Sequence, residues 1–198
     1  MAKRVGLVLG AEDAMSYLDQ LDSLFACPDA LEWLREQRHP TLATAWAECE
    51  RGDWMLWLAG RLAGPQGSDA RRPLTLAACE CARLSLPRWE ALHANDRRPH
   101  VAIETAEAWA RGGDGAPSLD EVRRAAYATY AYASAYACAS ACACAYASTS
   151  VDARADSATA AASDSDRACY LAKCADIVRR YYPTPPAIEG GWEPLEKP

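Results

Sequence analysis

From Tyr130 to Ser148 alanine alternates strictly with Tyr, Ser or Cys, and twelve of the 23 residues from Ala125 to Ala147 are alanine. Strict alternation is the strand period. Two properties of the stretch outweigh it. A strand of this length would run several times the usual ~5–6 residues, and alanine, depleted in strands, is the best helix former. No glycine or proline occurs between Ser118 and Tyr182. On a helix the alternation resolves into two i, i+4 rows. One holds Tyr130, Ser134, Cys138, Cys142 and Tyr146; the other holds Tyr132, Tyr136, Ser140, Cys144 and Ser148. The rows lie on nearly opposite sides of the axis. This predicts a long, buried, Ala-rich central helix that neighbours approach closely.

Shorter periodic stretches surround it. Met15, Leu18, Leu21 and Phe25 keep helical spacing across 13–25, which predicts an amphipathic helix with those four side chains inward. Pro28 is placed to start a second helix, and His39-Pro40 to end it, because a residue before proline is pushed out of the helical region. Residues 41–51 and 52–63 read as a helix pair joined at Gly52. Asp53 is the expected N-cap of the second helix, and Trp54, Trp57, Leu58 and Leu62 its apolar face. Ser118 and Glu121 form a capping box at the start of the central helix. The run 164–182 predicts a last helix with Cys169, Leu171, Cys174, Ile177, Val178 and Tyr181 inward, Arg179 and Arg180 suiting its negative end.

One phrase recurs. Arg71-Arg72-Pro73, opening a helix-like run to Arg83, is echoed by Arg97-Arg98-Pro99, opening a run to Trp109. Both copies put proline in the first helical turn, and two such units suggest stacked helices. The expected fold is all-α: a multi-helix bundle or short α-solenoid packed around the Ala-rich helix. Residues 1–182 make a single domain and 183–198 a Pro/Gly-rich tail, extended when alone.

Composition narrows the function. A net charge of −6 over 198 residues lacks the basic stripe of a nucleic-acid surface. The apolar run Val5–Leu9 is short for a signal segment, and no stretch approaches a membrane span. A soluble, cytoplasmic protein follows. Nine cysteines cannot all pair internally; those of Cys79-x-Cys81 and of the Ala-rich helix sit in helical runs rather than in zinc knuckles, so they read as small buried filler. No disulfide, metal or other cofactor is expected.

Catalytic signatures are missing: there is no GxGxxG, P-loop, GxSxG or HExxH. The three histidines are scattered. Glu104 and Glu107 share a helix face and could serve as paired carboxylates, but the arginines near them suit ion pairing across helices better.

Taken in order, GDWMLWLAGRLA, RRPLTLAACECARLSLP, RRPHVAIETAEAWARG, the Ala/Tyr-rich helix and LAKCADIVRRYYP resemble the immunity-protein family Imm-five of bacterial polymorphic toxin systems, from about Leu31 to Pro183. The residues that match its pattern best are Arg51, Asp53, Trp54, Trp57, Arg83, Glu104, Glu107 and Trp109. The Cys-rich form of the Ala helix departs from the family's more usual Ala/Tyr run. The resemblance implies a mostly helical, non-enzymatic protein that binds and neutralises a cognate toxin by occluding it. Of the matching residues, Arg51, Asp53, Trp54, Trp57, Glu104, Glu107 and Trp109 are the candidate contacts for that protein partner. A structural component of a phage or injection particle is the alternative, and an enzyme using Glu104 and Glu107 the third reading.

Overall fold

A computed structural model describes residues 17–130 and 164–188, and among these every regular element is helical. In chain order they are α1 (Tyr17–Ser23), α2 (Pro28–Gln37), α3 (Leu42–Glu48), α4 (Gly52–Leu62), a 3-10 turn (Asp69–Arg71), α5 (Arg72–Arg83), α6 (Leu86–Leu92), α7 (Arg98–Arg111), α8 (Leu119–Tyr130) and α9 (Asp164–Tyr181). The all-α expectation stands. Most of the predicted Ala-rich central helix, including Cys138, Cys142 and Cys144, lies outside the described residues, as does the tail beyond Ile188.

Two compact units divide between Ala45 and Trp46. The first contains α1 and α2, with Leu21, Leu24, Leu31 and Leu34 buried. Pro28 begins α2 as its spacing requires, and Arg38 ends it in a left-handed conformation, φ 52°. Phe25 corrects the sequence reading: it stands outside α1 at φ 63° and is 73% exposed. Its amide donates to Asp22 O (2.8 Å) and that of Ala26 to Leu21 O (3.0 Å). That pair of bonds closes the helix with a left-handed residue, and the turn carries the ring off the helical face.

In the second unit α5 is the pivot, packing on α7 and on α9; α9 also lies along α4, and α8 along α7. The seams are made of small side chains. Ala77, Ala78, Cys79, Cys81 and Ala82 of α5, Ala102 and Ala106 of α7, and Cys174 and Ala175 of α9 are all buried. Gly52 shows how close the approach is. A Cβ there would overlap Cys174 Cβ and the backbone nitrogen of Ala175, so α4 starts where its backbone meets that of α9. Cysteine as buried filler holds for Cys49, Cys79, Cys81 and Cys174. Cys169 was expected inward and is exposed, with Cys27. Leu171, Cys174, Ile177 and Val178 carry the inner face of α9 without it.

Helix ends, whose last carbonyls lack intrahelical donors, are closed by arginines from other elements. Arg71 donates to Gly60 O (3.1 Å) and Gly64 O (3.3 Å) at the end of α4. Arg72 donates to Trp109 O (3.1 Å) and Ala110 O (3.4 Å) in the last turn of α7. Arg179 of α9 reaches Trp46 O (3.3 Å) and Cys49 O around the end of α3. Each guanidinium meets carbonyls that are also the negative pole of the helix dipole. Arg71 is fully buried, and burial lowers its pKa; the carbonyls it meets offset part of that desolvation. At the other end of a helix, the predicted capping box forms: Glu121 N donates to Ser118 Oγ (3.3 Å), and Ser118 N to Glu121 Oε2 (2.7 Å).

Candidate functional site

The residues picked out by sequence fall into three groups in the second unit. The first is Arg51, Asp53 and Trp54, at the start of α4. Arg51 holds Asp53 with two parallel bonds, Nε to Oδ1 at 2.9 Å and Nη2 to Oδ2 at 2.6 Å. The guanidinium lies over the Trp54 ring, 4.0 Å from its centroid, which is cation–π geometry. Asp53 was expected as the N-cap. It instead sits inside α4, buried, and Arg51 occupies the cap position without a side-chain cap bond. A carboxylate in the first helical turn suits the positive pole, so the residue does its electrostatic work two positions past the cap.

Trp54 and Trp57 are only half-buried, whereas Met55, Leu56, Leu58 and Ala59 carry the inner face of α4. The apolar face predicted for the two tryptophans is thus turned: Trp57 lies beside Arg61, whose guanidinium is 5.8 Å from the ring centroid.

The second group joins α5 to α7. Arg83 Nε and Nη2 donate to Glu107 Oε1 (2.8 Å) and Oε2 (3.0 Å), and Arg111 Nη2 adds a third bond to Oε2 (3.0 Å). Glu107 is 7% exposed. Burial alone would raise its pKa, but the bonds and charges of Arg83 and then Arg111 bring it below the usual glutamate value. The same pairing raises the pKa of Arg83. A carboxylate held this way by three arginine hydrogen bonds stays ionised and has most of its acceptor sites taken, which is the opposite of a general base poised near neutrality. Glu104 does not join it. It is exposed and pairs with Arg97 at 3.7 Å, so the paired-carboxylate arrangement is not assembled; the expected pairing with an arginine across helices forms for Glu107 with Arg83, while Glu104 meets an arginine at the start of its own helix.

Trp109 is the third. It is buried in the α5/α7/α8 core with Ile103, Ala106 and Val122, and Arg72 lies 5.6 Å from its ring centroid. Arg83, matched to the family pattern but not chosen as a contact, proves to be the main partner of Glu107.

What sequence reasoning missed is a groove between α7 and α8. Two concavities of about 540 and 750 Å³ share Val101 and Ala125. Thr105 and Ala108 floor one end, and His93, Arg97 and Arg98 line the other. Asp96 takes Arg98 Nε at 2.8 Å, and this arginine lowers the Asp96 pKa to about 2. Val101 on the groove and Tyr127 on α8 are exposed. Their signal in the sequence was weak, since an apolar residue on a short helix reads as core.

Among the described residues no group of three or more His, Cys, Asp or Glu is placed to hold a metal ion, and no helix is long and apolar enough to cross a membrane. Comparison of the chain with protein-family models, with curated proteins and with solved structures finds no match.

Proposed function

We propose that the protein acts by binding rather than by catalysis, and that its partner is a cognate bacterial toxin, which it neutralises by occlusion. The observation that carries this reading is the state of Glu107: three arginine hydrogen bonds tie up the one buried carboxylate of the candidate pair. The buried Asp53, Glu107 and Trp109 then serve as framework, and the exposed Glu104 and half-buried Trp54 and Trp57 are left to meet a partner. The ordered likeness to Imm-five proteins supplies the kind of partner. In this reading the chain works in the cytoplasm, where its thiols stay reduced. Co-expression with a candidate toxin tests the proposal. Restored growth together with a co-purifying complex is expected; unrelieved toxicity with no complex overturns it.

A further inference from the structure

The chain has a single phenylalanine, and it is the most exposed large hydrophobic residue described. Phe25 stands at the turn between α1 and α2 in the left-handed region, φ 63°, where glycine fits and bulky side chains rarely go. Neither backbone preference nor burial explains an aromatic ring there. The charged residues nearest to it along the chain are acidic, and the first basic ones, Arg35 and Arg38, come only at the far end of α2. From Tyr17 to Leu34 the charged side chains are Asp19, Asp22, Asp29 and Glu32, with no Lys, Arg or His among them, and all four are exposed.

We infer that the α1–α2 turn is a docking surface on which Phe25 is the aromatic anchor, and that its occupant is a protein with an apolar pocket rimmed by basic residues. Aromatic side chains are enriched at the centres of protein interfaces, with polar and charged groups kept to the rim. The four exposed acids flanking the turn steer a basic partner and repel anionic lipid headgroups, which would otherwise compete for a protruding aromatic side chain. The inference rests on the protein-binding reading above and adds to it the surface and the chemistry of the partner.

The test uses the full chain and a displayed library of short random peptides. Selected peptides are expected to be basic and to carry an apolar residue. They should bind the wild type at least about tenfold more tightly than Phe25→Gly, with the difference shrinking as salt rises. Because glycine suits the left-handed backbone, Phe25→Gly should melt no lower than the wild type, which separates lost contact from lost fold. Equal binding to both chains, or selected peptides without basic character, overturns the surface and leaves the toxin co-expression test standing on its own. Phe25-dependent self-association in sedimentation, or Phe25-dependent binding to phosphatidylserine vesicles, also overturns it by giving the ring a different occupant.

Discussion

The two Arg-Arg-Pro segments start alike and end differently. In both, proline occupies the first turn of a helix, α5 in one case and α7 in the other. The arginines then diverge. Arg71 is fully buried at the end of α4 and Arg72 reaches across to the end of α7. Arg97, in the second copy, is 71% exposed, and Arg98 turns back to Asp96, two residues away. The same three letters set a helix start twice, but what the guanidinium does depends on whether another helix ends within its reach. Around Arg71 one does; the partner described for Arg97 is instead the Glu104 carboxylate, 3.7 Å away.

That contrast can be tested by removing its parts. Arg71→Ala should have the largest effect, a loss of about 3 kcal/mol, since two carbonyls lose a charged donor inside the fold; urea denaturation measures it. Glu107→Gln comes next, at about 1.5 kcal/mol near neutral pH, a figure reduced for the solvent around Arg83 and Arg111. Because the Glu107 pKa is depressed in the fold, its contribution is present above the unfolded glutamate value and is lost as pH falls through the lower folded value. Wild-type and Glu107→Gln melting curves should therefore converge below about pH 4. Convergence at high pH instead would contradict the assignment.

Gly112→Ala should cost about 1 kcal/mol. Gly112 is at φ 67°, and a Cβ there would collide with the Arg72 guanidinium, loosening the closure of α7. Arg97→Ala is the control, with a change within about 0.5 kcal/mol by the same measurement. If Arg97→Ala matched Arg71→Ala, the distinction between the two copies would fail.

Local rules were legible in the sequence because they act within a few residues. The proline starts at Pro28, Pro73 and Pro99, the Ser118–Glu121 box and the course of the last helix all follow from near neighbours. Features that depend on distant partners were not. Nothing near Arg71 in the chain announces that Gly60 and Gly64 carbonyls await it, and nothing near Arg72 shows that it reaches the carbonyls of Trp109 and Ala110. Phe25 and Cys169 were misplaced because helical spacing counts apolar residues without knowing where the helix ends or which neighbour is close enough to cover them. For the site, the grouping of acids with arginines was foreseen in kind, while the exposed groove and the ring at position 25 were not.

Gly52 against Cys174, and the Trp46 indole donating to Tyr182 O across 136 residues, bear on the order in which the protein assembles. The opening helices of the second unit find their seat only when α9 exists, so a growing chain leaves that seat empty until α9 has been synthesised. Contacts so far apart in sequence form slowly. A chain truncated before Asp164 would expose the α4 surface that α9 covers, and should emerge from the ribosome as a target for chaperones and proteases.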